Sequence, residues 1–384
     1  MSKLEELLAE LCPDGVEYKA LGEIGKVSMC KRIMKAETNT SGGIPFFKIG
    51  TFGKEPDSYI SQEKYDEYRM KFSFPNKGDI LISAAGTIGR TVIYKGEPAY
   101  YQDSNIVWLA HDESIVSNNF LFYCYQMKPW VASTGGTIAR LYNDNISKAR
   151  IPIPPLPVQN EIVRILDNFT ELTAELKTQL AAELVARKKQ YEYYRDSLLT
   201  FEDEVEWKTL GTICDINTGS KPPKIHKELN IYQYINAGTT NSGFTENYNS
   251  DGGVVTTPSR GQGGIGFVGY QKNRFWLGPL CYRIQTVNEK HVLAKYVYYY
   301  LQNNKELILK IKNEGGVPSV NKVDLEKISV KIPPFVEQQR IVAILDRFDT
   351  LCNDISAGLP AEIAARTKQY EYYRDRLLTF PERA

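Results

Sequence analysis

One module is written twice in this chain, and that repeat restricts the possible architecture more than any single motif does. Arg187-Lys188-Lys189-Gln190-Tyr191-Glu192-Tyr193-Tyr194-Arg195-Asp196 returns as Arg366-Thr367-Lys368-Gln369-Tyr370-Glu371-Tyr372-Tyr373-Arg374-Asp375, at an offset of 179 residues. At the same offset Ile162, Leu166, Asp167 and Phe169 meet Ile341, Leu345, Asp346 and Phe348, and Pro154-Pro155 meets Pro333-Pro334. A second anchor, Val16-Glu17-Tyr18-Lys19, returns as Val205-Glu206-Trp207-Lys208 at an offset of 189. The segments between the anchors therefore differ in length by ten residues, and they have diverged where the anchors have not.

The constant parts read as long helices. Ile162, Leu166, Phe169, Thr173, Leu176, Leu180, Leu184, Arg187, Tyr191, Tyr194 and Leu198 are spaced mostly 4,3,4,3, the stripe of a coiled-coil seam. From Val158 to Leu199 such a helix would be about 60 Å long at 1.5 Å per residue. The second copy keeps the stripe from Ile341 through Ile355 to Leu377, but Gly358 and Pro360 should break or kink it. A rod of this length cannot be buried in a small globule. The economical arrangement is two repeat helices packed antiparallel about a pseudo-twofold axis, with the variable segments as globular heads at opposite ends.

The heads carry glycine turns and β-branched runs such as Asp79-Ile80-Leu81-Ile82-Ser83 and Val254-Val255-Thr256-Thr257, which read as short strands. Each head also has one helix, expected over Asn118–Met127 in the first and Leu293–Lys312 in the second, and each leaves through a proline-rich extended exit. Leu4–Leu11 reads as a short amphipathic helix before the first head, as Tyr191–Thr200 stands before the second. The fold class expected is α+β: two globular α/β-mixed heads separated by two long antiparallel helices that form a coiled-coil spacer. The segments are 1–15 (N-terminal helix), 16–155 (first head), 156–204 (first spacer helix), 205–334 (second head) and 335–384 (second spacer helix).

Composition narrows the class of function. With 384 residues, 42% hydrophobic and 24% charged, the chain can bury more than one core. No basic leader and no apolar run of membrane-spanning length are present, so a cytoplasmic protein is expected, away from membranes. The six cysteines include no Cys-x-x-Cys pair, and reduced structural thiols are expected, with no metal site. The net charge of +1 hides an uneven distribution: residues 16–150 carry +3 and residues 205–331 carry +6, while the remainder carries −8. Basic heads on an acidic spacer fit heads that approach phosphate and rods that face protein.

Apparent enzyme motifs fail on spacing. Asp14 and Glu17 before Lys19 stand too close to be the two carboxylates of a metal-dependent nuclease, and the second copy has no Pro-Asp before Glu206. Gly261-Gln262-Gly263-Gly264-Ile265-Gly266 matches a dinucleotide fingerprint, yet a strand-like run follows it instead of a helix, so a glycine turn between strands is expected. Ile332-Pro333-Pro334-Phe335 resembles the catalytic tetrapeptide of amino-methylating enzymes but has Ile332 where a polar side chain is required. No catalytic residue is expected in this chain.

Two divergent heads, each followed by a proline-rich exit (Pro154-Pro155-Leu156-Pro157-Val158-Gln159 and Pro333-Pro334-Phe335-Val336-Glu337-Gln338) and a repeated Ile-Val-x-Ile-Leu-Asp-x-Phe helix, resemble the specificity subunits of type I restriction-modification systems. The glycine turns Gly86-Thr87-Ile88-Gly89 and Gly263-Gly264-Ile265-Gly266, and the pairs Gly135-Gly136 and Gly315-Gly316, match that family's head pattern. The resemblance implies a non-catalytic DNA-binding subunit. Each head would read one half of a split double-stranded target, and the helices would set the gap and bind two methyltransferase subunits, with two restriction subunits joining where present. The methylated base would be an adenine in each half-site, flipped into the partner's pocket. S-adenosylmethionine would bind the methyltransferase partner, and ATP and Mg a restriction partner; no cofactor is expected in this chain. A coiled-coil scaffold that binds proteins and no specific DNA sequence is the alternative, and a self-contained nucleic-acid enzyme a third reading.

Residues in or beside glycine-rich turns are the candidates for reading DNA, because such loops can enter a groove. In the first head these are Arg32, Lys48, Thr87, Arg90, Gln102, Asn105, Arg140, Tyr142 and Asn143. In the second they are Lys221, Lys224, Asn236, Arg260, Gln262, Lys272, Arg274, Asn321 and Lys322. The tyrosine clusters are equal in both copies, which argues for helix packing or partner contact over base stacking. Tyr191, Tyr194, Arg195, Tyr370, Tyr373 and Arg374 are the candidates for partner binding.

Overall fold

In a computed structural model, residues 2–132, 140–201, 205–228, 231–353 and 357–383 are described. The chain divides into two compact units, one of residues 1–177 with 365–384 and the other of residues 178–364. Each unit therefore combines one head, the beginning of the helix that follows it, and the end of the other repeat helix.

The heads share one topology. In the first, a four-stranded antiparallel sheet runs Lys26–Ser28, Ile106–Ala110, Ile80–Ser83, Thr91–Ile93 across its width. A second sheet places Ile44–Phe47 between Tyr59–Ile60 and Tyr100–Tyr101, antiparallel to the former and parallel to the latter. Tyr18–Ala20 pairs with Arg150–Pro152, so the strand entering the head is tied to the strand leaving it. The second head repeats all three features. Its four-stranded order is Cys214–Thr218, Cys281–Thr286, Val254–Pro258, Gly269–Gln271, its mixed sheet is Phe244–Thr245, Tyr232–Ile235, Phe275–Leu277, and Glu206–Thr209 pairs with Ser329–Ile332.

The strands form where the sequence is β-branched or aromatic, and the four central residues Ile80–Ser83 are all buried. Against the larger sheet of the first unit pack the helix Asn118–Gln126, the start of the long helix, and Leu377 and Leu378. The corresponding core of the second unit takes Leu198 and Leu199 in the same role. Ser117 caps Asn118–Gln126 by accepting from the Phe120 N–H. Ser2 and Glu5 form a capping box at Lys3–Leu11, whose Leu4, Leu7 and Leu8 join the first core.

Two bonding arrangements recur in both units at the junction of head and helix. Gln159 is fully buried, accepts from the Ser117 N–H, and donates to the carbonyls of Ile115 and Pro154. Gln338 is equally buried, accepts from the Leu293 N–H at 3.0 Å, and donates to His291 and Pro333 at 3.0 and 2.9 Å. Each glutamine saturates its amide with backbone groups of its own head, which satisfies donors and acceptors that burial would otherwise leave unpaired. The Tyr123 hydroxyl donates to Asp167 at 2.6 Å, and the Tyr299 hydroxyl to Asp346 at 2.6 Å. Burial and the adjacent carboxylate push the Tyr299 phenol well above its ordinary value, which keeps it a donor.

The helix Leu156–Leu198 is continuous for 43 residues. Its second counterpart is two helices, Phe335–Asn353 and Leu359–Leu377, with Gly358 in a bend just before the second start. Of the second stripe, Ile355 lies outside the described residues, as does Gly135-Gly136. Two expectations need correction. The helix expected over Leu293–Lys312 is two, Ala294–Asn303 and Glu306–Lys310, because Asn304 leaves helical geometry and its side-chain amide donates to the Tyr300 carbonyl at the helix end. The first head also holds a second helix of comparable length, Gln62–Lys71, capped by Ser61. The second head goes directly from Phe244–Thr245 toward Val254–Pro258, so this helix accounts for most of the ten-residue length difference.

Candidate nucleic-acid interface

The glycine turns sit at matching places, between the two strands of a hairpin in each four-stranded sheet. In the first head, the Ser83 hydroxyl donates to the Thr87 carbonyl and accepts from the Arg90 N–H at 2.8 Å. Gly86 and Gly89 have φ of +64° and +76°, where a side chain would be strained. Thr87 is left exposed at the tip, and Arg90 is turned back so that its guanidinium donates to the Phe52 carbonyl at 2.9 Å. In the second head, a Cβ on Gly264 would stand 2.2 Å from the Ala237 carbonyl oxygen, so only glycine permits the close approach of the two loops. Arg260 and Gln262 are exposed on that turn. This is a turn between strands, in place of a nucleotide-binding loop.

The remaining candidates separate by their partners. Arg32 pairs with Asp103 at 2.8 Å and Lys48 with Asp57 at 2.8 Å. Gln102 accepts from the Ile49 N–H, and Asn236 accepts from the Leu280 N–H at 3.0 Å, so both amides hold loops together. Arg140 donates to the Ser104 carbonyl and to Asn105, and its guanidinium lies 5.9 Å from the Tyr142 ring. Arg274 pairs with Asp251 and covers the Tyr248 ring, and Lys322 reaches Asn217 and Glu326. Asn321 is the N-cap residue of Lys322–Glu326. Thr87, Asn143, Lys221, Lys224, Arg260, Gln262 and Lys272 are exposed, and among the described residues their own side chains make no hydrogen bond or ion pair.

Two clefts gather five of the nine first-head candidates. Arg140, Tyr142 and Asn143 line one together with Met29, Ser104 and Lys148, and Tyr142 is 57% exposed there. Thr87 and Arg90 line the other with Ile49, Phe52 and Lys54. Lys54 and Lys148 are cations that sequence reasoning passed over. Lys54 follows Gly53, so the glycine-turn criterion applied elsewhere would have found it, whereas Lys148 lies at the end of a short helix with no such signal.

The spacer tyrosines are largely used within each unit. Tyr194 stacks on Phe348 at 5.6 Å and 27°, with Tyr191 against the same ring. In the other unit, Tyr373 meets Phe169 at 6.0 Å and the Tyr370 hydroxyl bonds to Thr170. Arg195 and Arg374 pair with the neighbouring Asp196 and Asp375. Tyr193 and Tyr372, 70% and 60% exposed, are the most exposed tyrosines of the two clusters.

No group of three or more His, Cys, Asp or Glu among the described residues could hold a metal ion. No described helix is long and apolar enough to cross a membrane. Burial pushes the thiols of Cys30, Cys214 and Cys281 up to about 12, far from the range of a reactive thiolate.

The family described as "Type I restriction modification DNA specificity domain" matches the chain twice, at residues 13–186 and 202–365. The chain belongs to this family. The specificity subunit of the type I restriction enzymes EcoR124I/EcoR124II of Escherichia coli is 39% identical over 414 aligned residues, covering 100% of this chain and 98% of that protein. S.HindORF215P of Haemophilus influenzae, a type I specificity subunit by name, is 56% identical over 181 residues, and this match spans 47% of each chain. Among solved structures, a chain from work on complex assembly and conformational transition of the type I R-M system aligns with a TM-score of 0.67 at 17% identity, over 96% of this chain and 98% of that one. The type I specificity subunit is thus a sequence-specific DNA-recognition protein and a non-catalytic member of its restriction-modification system.

Proposed function

We propose that the two heads of this specificity subunit read the two halves of a split DNA target, one half-site each, and direct methyltransferase and restriction subunits to it. The observation that carries this reading is a shared topology with divergent loops. Both heads have the same three sheets, so both present a glycine turn and a Leu141- or Val320-led helix start at the same place. The side chains offered there differ: Thr87, Tyr142 and Asn143 in one head; Arg260, Gln262, Asn321 and Lys322 in the other. Equivalent frames with unlike reading groups suit two unlike half-sites at a fixed spacing.

The segments 1–15, 16–155, 156–204, 205–334 and 335–384 would then divide the work, heads to DNA and helices to partners. Two methyltransferase subunits would engage the two spacer copies and methylate an adenine in each half-site, with S-adenosylmethionine in their own pockets. Restriction subunits would bring ATP and Mg. Tyr193 and Tyr372 offer a partner more exposed surface than Tyr191, Tyr194, Tyr370 and Tyr373 do. Mapping methylated adenine across the genome of cells with and without this chain, with its cognate methyltransferase present, tests the reading. A motif of two short half-sites around a fixed gap is expected. Unchanged methylation, with the partner active, would favour the protein scaffold.

A further inference from the structure

The first head has an open, aromatic-walled cavity at a place where the second head carries aliphatic side chains. Phe47 and Tyr101 are register partners in the mixed sheet, and their rings stack 5.7 Å apart at 18°. With Phe52, Val92 and Tyr94 they wall a cavity of about 220 Å³. That is smaller than the ~300–1,000 Å³ of a usual cofactor site, and it suits one planar ring system. Lys54, Lys95 and Glu97 line it from exposed positions, and no ion pair holds either lysine among the described residues. At the same register the second head places Ile235 and Leu277, both buried in a small cluster with Val254, Phe275 and Cys281. The fold therefore does not require this pair of rings.

The cavity adjoins the cleft that offers Thr87. Phe52 and Lys54 line both the cavity and the cleft of Thr87 and Arg90. We propose that this cavity receives one unpaired nucleobase from the half-site read by the first head, its ring against Phe47 and Tyr101 and its flanking phosphates against Lys54 and Lys95. The proposal rests on the first head binding DNA, as argued above. Extrusion of an adenine for methylation leaves its partner base unpaired and would supply the occupant. Aromatic walls suit any base, because every base has a π-face, and cations at the mouth suit its backbone.

The test uses the full chain assembled with its methyltransferase on a duplex bearing the cognate target. Phe47→Ile with Tyr101→Leu installs the pair that the second head already carries, and Lys54→Gln with Lys95→Gln alters exposed positions without touching the core. In the parent assembly the thymine opposite the methylated adenine of one half-site should resist permanganate oxidation. Either double variant should make it reactive and weaken duplex binding about tenfold, with the other half-site unchanged. Unaltered binding and permanganate pattern in both variants, with discrimination between cognate and random duplex intact, would overturn the cavity's role. Equal losses at both half-sites would assign these residues to folding and overturn it as well. A parent assembly that does not discriminate cognate from random duplex would overturn the DNA reading itself, and the proposal with it.

Discussion

Replacing Gln338 by leucine keeps most of the side-chain volume and removes every hydrogen bond the amide makes. Three backbone groups then lose their partner: the Leu293 N–H and the carbonyls of His291 and Pro333. A buried group left unpaired costs about 1–3 kcal/mol. The Pro333 bond is fully buried and the other two are part-buried, so water can restore some of the loss, and the lower end of that range applies. The total is about 3 kcal/mol. For a unit the size of Thr178–Ala364, each kcal/mol lowers Tm by roughly 2–4 °C, so a drop of about 6–12 °C is expected in scanning calorimetry. Gln159→Leu should lower the stability of the other unit by a similar amount, since it makes the same three contacts. Val336→Ala, at a 75% exposed position on the same helix turn, should change Tm by less than about 2 °C. If Gln338→Leu shifts Tm no more than Val336→Ala does, the glutamine is not holding the junction and the argument from its bonds is wrong.

Other outcomes follow from the interface and from the ion pairs. Arg260→Ala should weaken binding to the cognate duplex by about 1–3 kcal/mol and barely change binding to random DNA, measured by competition titration; equal losses on both would make Arg260 a phosphate or structural contact. Lys221→Gln and Lys224→Gln, at exposed unpaired positions, should each lower the slope of log K against log salt by about 0.9; an unchanged slope would place them away from the phosphates. Glu161 bridges Arg164 and Lys3, and the Arg164 bond holds its carboxyl down at about 2. A folded value below the unfolded one contributes stability above about pH 4.5 that is lost as pH falls toward 2. Glu161→Gln should therefore flatten the fall in Tm across that window, and an unaltered acid profile would show that the pair contributes nothing.

The repeat was the most legible feature because it is written in residue identities, and its consequence, two heads of one topology, is a matter of counting. Gly358 and Pro360 marked the break in the second helix for the same local reason, since both act on backbone conformation. Gln62–Lys71 escaped because only Tyr65 is buried on it, so its sequence reads as charged and without an apolar stripe. The break at Asn304 depends on one amide turning back to the Tyr300 carbonyl, which propensity along a twenty-residue window averages away. The glutamines of the proline-rich exits could be seen as constant, but their partners lie more than 40 residues away for the longest bonds, and no spacing rule reaches that far. For the proposed interface, nearness to glycine turns could not separate Gln102 and Asn236, which brace those loops, from Gln262, which is free on one.

Internal repetition supplies that separation once the register is known. Where both units make the same bond, as Gln159 with Gln338 and Tyr123 with Tyr299 do, the bond belongs to the frame, because both copies of the module keep it while the loops of the heads differ. Where matched positions hold unlike chemistry, the frame does not dictate the residue, and its identity is open to selection by whatever the head contacts. Phe47 and Tyr101 against Ile235 and Leu277 meet that criterion, as do Tyr142 and Asn143 against Asn321 and Lys322. Unlike chemistry alone still admits residues tied to a neighbour, such as Lys322. The residues that are both unmatched and unengaged, Thr87 and Asn143 in one head and Arg260 and Gln262 in the other, are therefore the ones whose exchange should change which sequence is read while leaving the fold in place.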